Sequence, residues 1–386
     1  MRIALIHMRH ARSGGTERYL DQLAAFLAAS GHEPVIVCRS HVEPPDPRVR
    51  FEVLRPFAIG GAWRMWSWAT AVERFVTRRP GAFDLVVGLG KTWSQDVMRL
   101  GGGVQRTYIE LVHRAPESGR RRPAGLDLKQ RAACAIEDRA LARGAARTWI
   151  CNSEMVRRDV LARFGLPERE VVVVHNGVDV ERFHPRRRAT EGEALRRTLG
   201  LEPRHLVVLF LGTGYGRKGL GRTIEAFARA AVPHPEARLV VVGFDVALGR
   251  YRALAAARGI GDRCLFLGGR GDAEACFAAA DLYVLPTRYD PFANATLEAL
   301  ASGLPVLTSD ANGAAELMTP GREGEVSHAG ESVTAFAERL ARWLDRERIE
   351  VARPHARSLA EAHSHLHAMQ ATMAVLESAA AARARG

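Results

Sequence analysis

Residues 290–306 read DPFANATLEALASGLPV, and two carboxylates in this stretch, Asp290 and Glu298, stand eight positions apart. Pro291 and Phe292 make a turn, and the pattern after them predicts a helix that starts at Ala293 or Asn294. Asp290 then sits on the loop, and Glu298 lies one turn into the helix. The start of that helix offers unpaired backbone N–H groups and the positive end of a dipole, which suits a phosphate. One short segment thus places an anion site between two acids: a cradle for a sugar nucleotide, with the diphosphate on the helix end, one acid for sugar hydroxyls and one for the ribose. The same residues also make an ordinary α/β loop and helix, followed by a buried strand over 305–308.

Working outward, apolar runs of strand length alternate with amphipathic helical stretches, the pattern of parallel α/β domains. Strands are expected at 2–7, 34–38, 51–54, 84–88, 148–151 and 171–174. After a Pro- and Arg-bearing segment at 182–190, read as a linker, the alternation restarts with strands at 205–211, 238–243, 264–268 and 282–286. This divides the chain into an N-terminal α/β domain over 1–184 and a C-terminal one over 185–358. An Ala-rich stretch over 359–386 reads as one long helix. Two such halves imply a cleft between them, the usual place for a ligand.

The chain has 386 residues, too many for one core, with 47% hydrophobic and 25% charged residues, as in a water-exposed globular protein. No run approaches a membrane span. The five cysteines (Cys38, Cys134, Cys151, Cys264, Cys276) are scattered without a C-x-x-C pair, so neither a disulfide framework nor a zinc site is indicated and a reducing cytoplasm fits. The net charge is +12, and only three of the 55 basic residues are lysines: Lys91, Lys129 and Lys218. Basic clusters at Arg120–Arg122 and Arg186–Arg188, and Trp63, Trp66 and Trp68 near Arg64, fit either a solvated surface or contact with an anionic membrane. No nucleic-acid-binding motif is present.

Two further loops carry glycines between a strand and a helix. Gly14 and Gly15, with Thr16 and Glu17, let the backbone pass close to a ligand, or serve as a tight turn capped by Thr16. Gly214, Gly216 and Gly219 spell G-x-G-x-x-G, the dinucleotide fingerprint, and permit a nicotinamide-dependent oxidoreductase as an alternative. Arg217 and Lys218 interrupt those glycines, however, and the acid Asp245 comes later than that motif places it. Two adjacent cations at a helix start suit a diphosphate that gains charge as a bond breaks. In the first half, Lys91 and Asp96 fall in the loop after a strand. Gly101–Gly103 and Gln105 follow, a backbone free to approach a sugar ring or a plain surface loop. His363, His365 and His367 do not converge on a helix, so no metal site is expected there.

The ordered set Gly14-Gly15-x-Glu17, Arg217-Lys218-Gly219, Gly269-Arg270-Gly271-Asp272 and Asp290-x7-Glu298 with Ala-Ser-Gly-Leu-Pro-Val resembles the retaining glycosyltransferases of family GT4. It is most similar to the lipopolysaccharide core glucosyltransferase I group. The resemblance implies the GT-B fold, two facing Rossmann-like domains with the C-terminal helix returning to the first. It implies transfer of a hexose, glucose in that group, from a UDP-sugar to a glycan acceptor, with no cofactor and no metal. It implies that Arg217 and Lys218 hold the diphosphate, Glu298 the ribose and Asp290 the donor sugar. Gly14, Gly15, Gly214, Phe292, Ala293 and Asn294 would approach sugar and phosphate, and Arg270 would lie by the uracil. Lys91, Gly103 and Gln105 would meet the acceptor, with Gln105 and Asp96 near the chemistry. The chain departs from the family where Asp290 replaces the usual Glu and Gln105 stands where many relatives place His.

Overall fold

The computed structural model describes residues 1–11, 14–42, 46–113, 127–142 and 144–384. The cluster Arg120–Arg122 and residues Arg12 and Ser13 lie outside them. The chain forms two units, Met1–His175 with Ala368–Gly386, and Asn176–His367.

The first unit carries strands β1 (Arg2–Ile6), β2 (Glu33–Cys38), β3 (Arg50–Val53), β4 (Leu85–Gly88), β5 (Val97–Leu100), β6 (Thr148–Cys151) and β7 (Val171–Val173). Its helices are α1 (Gly15–Ala29), α2 (Gly60–Thr77), α3 (Gln105–Tyr108), α4 (Leu128–Ala140) and α5 (Glu154–Phe164). The strands are parallel, in the order β3-β2-β1-β4-β5-β6-β7. Alternate residues of β1 serve opposite faces of the sheet. Ile3 and Leu5 cluster with Leu20, Leu23 and Leu27 of α1, whereas Ala4 and Ile6 cluster with Trp68, Val72 and Phe75 of α2. Trp68 is therefore core, and only Trp63 and Trp66 of the tryptophans on α2 are exposed.

The second unit carries β8 (Leu206–Leu211), β9 (Ala237–Val242), β10 (Cys264–Gly268), β11 (Leu282–Leu285), β12 (Val306–Ser309) and β13 (Gly324–Ser327). Its helices are α6 (Glu191–Thr198), α7 (Tyr215–Lys218), α8 (Leu220–Ala230), α9 (Leu248–Ala257), α10 (Ala273–Ala279), α11 (Asn294–Ala301), α12 (Val333–Trp343) and α13 (Arg346–Ala362). The last helix, α14 (His365–Ala384), starts here and runs into the first unit's residues. These strands are also parallel, in the order β10-β9-β8-β11-β12-β13. β8 reads LVVLFL because both of its faces are covered. In each sheet the strand order reverses beside the first strand, between β1 and β4 and between β8 and β11. Ligand sites form outside the carboxyl ends of the strands at such points.

Three expectations are corrected. The segment around Pro185 is a short 3-10 helix, Pro185–Ala189, inside the second unit, and the division falls at His175 instead. Its arginines are held in ion pairs, Arg186 with Glu181 (2.8 Å) on the surface, Arg187 with Glu191, and Arg188 with the buried Asp281. The C-terminal stretch is two helices, α13 and α14, broken at His363–Ser364. There Val178 N–H donates to His363 O (3.0 Å) and His365 N–H to Val178 O (2.9 Å), a bridge that takes the backbone out of the helix. Gly177 allows this approach, because a Cβ on it would lie 2.5 Å from Ser364 O. Gly177→Ala should therefore lower stability by about 1–3 kcal/mol, as overpacking does. A fall in the urea midpoint at constant slope would show it, and an unchanged midpoint would mean the bridge yields.

Candidate functional site

The second unit assembles its charged residues at its switch point. Gly212 follows β8, and the chain turns through Gly214 (φ +78) into the single turn α7, which presents Arg217 and Lys218. Gly219 (φ +83) ends that turn beneath Pro286, whose carbonyl oxygen would lie 2.1 Å from a Cβ. This close approach brings the loop after β8 against the loop after β11, which carries Asp290. Asp290 Oδ2 accepts from both Arg217 Nη1 (2.7 Å) and Lys218 Nζ, and Phe292 N–H donates to Oδ1 at 3.3 Å. Lys218 and Asp290 are buried. Burial pushes the Asp290 carboxyl up, but Lys218 and Arg217 outweigh it and hold it below the usual carboxylate range. Burial pulls the Lys218 ammonium down from its ordinary value, with Asp290 opposing.

Glu298, on α11, is buried and close enough to act on both Lys218 and Tyr283. The Tyr283 phenol is pushed well above its usual value by burial first, then by Glu298 and Asp290, and it donates to Leu211 O (2.9 Å). Arg217, Lys218, Asp290, Phe292 and Glu298 thus lie together at the switch point of the second unit. Ala293 N–H donates to Asn312 Oδ1 (3.1 Å), and Asn294 Oδ1 accepts from Asn176 Nδ2 (2.6 Å). Asn312 also bonds Thr296 and Thr308 (2.9 and 3.0 Å), so it is the buried hub that sets the start of α11. Arg270 is exposed and forks onto Asp272 (2.8 and 2.6 Å).

The glycine fingerprint does not form a dinucleotide loop. Gly214 N–H donates to Phe244 O (3.1 Å), and Tyr215 N–H, at the start of α7, donates to Asp245 (2.7 Å). The acid that came too late for the motif accepts from the first amide of α7 instead.

The first unit holds a pocket of about 670 Å³ at the carboxyl ends of β1 and β4, lined among others by His7, Glu17, Lys91, Gly103, Gln105 and Glu137. Lys91 Nζ donates to Gln105 Oε1 (3.0 Å), and Gln105 Nε2 to Gln130 Oε1 (2.7 Å). Gln105 N–H donates to both oxygens of Glu137 (2.8 and 3.0 Å), a buried acid on α4 whose carboxyl is raised by burial. Burial lowers Lys91 and also His7. His7 Nδ1 lies 3.2 Å from Leu89 O, which can only accept, so Nδ1 carries the proton of the neutral ring and Nε2 keeps its lone pair. Gly14 and Gly15 open α1, and the next two residues, Thr16 and Glu17, reach the pocket.

Asp96 does not. It stands at the opposite, N-terminal end of β5, where its Oδ2 accepts from Val86 N–H (2.8 Å) and Arg383 (2.6 Å). It anchors α14 beside the start of β5 and has no place near the chemistry. Among the described residues no group of His, Cys, Asp or Glu could hold a metal ion, and the tail histidines form none. No described helix is long and apolar enough to cross a membrane.

Residues 13–182 match the family model "Glycosyltransferase Family 4", and residues 192–363 match "Glycosyl transferases group 1". The protein is an enzyme, a glycosyltransferase. A probable transglycosylase of Burkholderia thailandensis is 30% identical over 322 residues, covering 80% of this chain and 77% of that protein. A GDP-mannose-dependent alpha-(1-6)-phosphatidylinositol dimannoside mannosyltransferase of Mycobacterium tuberculosis is 28% identical over 365 residues, covering 88% and 89%. The chain belongs to the GT4 family of GT-B glycosyltransferases. Its fold is shared with WaaG, a glycosyltransferase involved in lipopolysaccharide biosynthesis (TM-score 0.81, 21% identity, 97% and 99% covered). It is also shared with Anabaena HepE in complex with UDP-glucose (TM-score 0.72, 18% identity, 98% and 100% covered). The oxidoreductase alternative is thereby overturned, in agreement with the occupied turn at Tyr215.

Proposed function

We propose that this enzyme transfers a hexose, glucose first, from a UDP-sugar to a hydroxyl of a glycan or lipid-linked glycan, with retention of configuration. The observation that carries this reading is the cluster of half-buried Arg217 with buried Lys218 and Asp290 beside the start of α11. As the bond from the anomeric carbon to the phosphate oxygen breaks, the diphosphate gains negative charge. Arg217 and Lys218 meet that charge, Lys218 from a buried position where such contacts count most. The bond to the acceptor oxygen forms on the same face, and the acceptor proton passes to the departing phosphate oxygen. Two side-chain cations supply the neutralising charge, so the reading includes no metal. Glu298 takes the ribose, Phe292 to Asn294 approach the phosphates, and Arg270 leaves Asp272 to meet the base.

Both cations lean on one oxygen of Asp290, so Asp290 sets their positions for the diphosphate. The acceptor is held by Lys91, Gly103 and Gln105, and His7 Nε2 can accept from its hydroxyl. The exposed Phe57, Ile59, Trp63 and Trp66 around Arg64 support work at the inner face of the cytoplasmic membrane. Thermal unfolding with UDP, UDP-glucose, UDP-galactose, GDP-mannose and NAD tests the donor. A ligand at 100 times its dissociation constant adds about 2.7 kcal/mol. A rise with UDP and UDP-glucose is expected, and a rise with GDP-mannose alone would replace the donor.

A further inference from the structure

We propose that Glu137 is a positioning residue for the acceptor-binding groups Gln105 and Lys91: it grips the start of α3 and stands as the counter-charge to Lys91. This rests on reading the pocket of the first unit as the acceptor site. Helix α3 opens just after the loop Gly101–Gly103, and its own N-cap residue, Val104, offers no side-chain cap. Glu137 supplies one from another helix. It is 5% exposed, and both of its oxygens accept from Gln105 N–H (2.8 and 3.0 Å). The Arg106 N–H favours its charged form as well. Bonds from amides to an ionised acceptor are among the strong ones.

Helix α4 holds Gln105 at two points. Gln130 and Glu137 lie seven positions apart, two turns along one face of α4. Glu137 holds the main chain of Gln105, and Gln130 Oε1 accepts from its side-chain Nε2 (2.7 Å). Lys91 Nζ donates to Gln105 Oε1 (3.0 Å). An ammonium only donates, so the amide oxygen must face Lys91 and the amide nitrogen Gln130. That fixes the amide in one orientation. Among the described residues it keeps one N–H and one lone pair for a ligand, a donor and an acceptor side by side, which suits sugar hydroxyls.

Glu137 and Lys91 meet through Gln105, and each supports the other's charge. Burial pulls the Lys91 ammonium down, with Glu137 foremost in opposing it. Burial pushes the Glu137 carboxyl up, with Lys91 foremost in opposing it. Cys134, on the same face of α4, also favours the charged lysine, and Asp138 disfavours the charged Glu137. The other ionisable side chains lining the pocket are His7, Arg9, Glu17, Arg39, Arg64 and Arg99. A neutral acceptor would satisfy the amides of α3 without the cost of burying a carboxylate. The buried charge of Glu137 therefore answers to Lys91, not to the helix start alone.

The test uses the scarcity of lysine. Only Lys91, Lys129 and Lys218 occur in the chain, so lysine labelled with carbon-13 at Cε gives three side-chain signals, assigned with Lys129→Arg and Lys218→Arg. The Lys91 signal should titrate at lower pH in Glu137→Gln than in the parent and return toward the parent in Glu137→Asp, with the other two unmoved. Transfer from UDP-glucose to octyl β-glucoside serves as the activity probe. In Glu137→Gln the acceptor KM should rise about tenfold, the worth of one hydrogen bond to a charged group, with a smaller loss in kcat. The rise should grow with pH, because Lys91 loses its proton earlier. Glu137→Asp should restore the Lys91 titration but not the KM, since a side chain one methylene shorter releases the Gln105 amide. A Lys91 signal that titrates alike in parent and Glu137→Gln, with only the melting temperature lowered, would make Glu137 a plain helix cap and overturn the proposal. Should Glu137→Gln not fold, a parent-like acceptor KM in Glu137→Asp overturns it equally. An enzyme that leaves UDP-glucose untouched refutes the donor reading, and the lysine titration still decides this one.

Discussion

Lys218→Met is expected to lower the rate of sugar transfer by a factor of about 10² to 10³, the usual cost of one donor aimed at developing charge. Methionine keeps the stem that packs over Gly212, where a Cβ would lie 3.4 Å from Lys218 Cγ, and removes only the ammonium. The effect on stability should be smaller. Asp290 keeps Arg217 at 2.7 Å, so its carboxylate is not left alone in the interior. Lys218→Arg should not rescue, because a planar fork is longer than the compact ammonium this turn encloses. The informative control is Lys218→Met combined with Asp290→Asn. If Lys218 served only to neutralise Asp290, the double variant would turn over as fast as Asp290→Asn alone. If Lys218 meets the diphosphate, it regains stability yet stays slower than Asp290→Asn alone. A single variant whose turnover falls less than threefold would take Lys218 out of the chemistry.

What could be read from the sequence follows how local the physics is. The pairing of Asp290 with Glu298 across a turn and a helix start is a property of nine adjacent residues, and the structure keeps it. The strands of both sheets are apolar runs, so most were legible too. β5 was hidden because its apolar residues are interrupted by Arg99 and follow directly on Asp96. Its place is set by pairing with β4 and β6, not by its composition. The break between α13 and α14 is imposed by Gly177 and Val178, far away in sequence, so an Ala-rich tail gives no sign of it. Asn312, Asp245 and Glu137 are buried polar groups whose partners arrive through the fold. Nothing nearby in sequence marks them, except that Asn312 precedes Gly313 as a cap would. His7 could have been noticed as the one polar group at the end of an apolar first strand, beside the switch point. The fingerprint at Gly214 misled because a glycine pattern states only where backbone can come close, and here the neighbour is protein backbone.

Asp281→Asn is expected to cost the second unit about 3–5 kcal/mol, the range for breaking a buried ion pair from one side. Asp281 is 3% exposed and immediately precedes the strand β11. It accepts from Arg188, from Arg196 (2.6 Å), from Arg353 (3.3 Å) and from the Val207 N–H (2.8 Å). One carboxylate therefore ties the 3-10 helix at Pro185, α6, α13 and β8 together. Asparagine fills the same space but leaves several guanidiniums facing one another without a counter-charge. Burial pushes the Asp281 carboxyl up, yet Arg188 and Arg196 prevail and hold it below the usual carboxylate range. A carboxyl lowered on folding contributes its full stability above its unfolded pKa and loses it as pH falls through the folded one. The gap between parent and Asp281→Asn should therefore be constant from neutral pH down to about 4 and close only below that. Hydrogen exchange at the Val207 amide and the thermal transition of the second unit report it together. Of the six tryptophans only Trp343 belongs to that unit, so the other five follow the first unit. A gap that narrows already between pH 7 and 5 would mean that another group, not Asp281, carries the pairing.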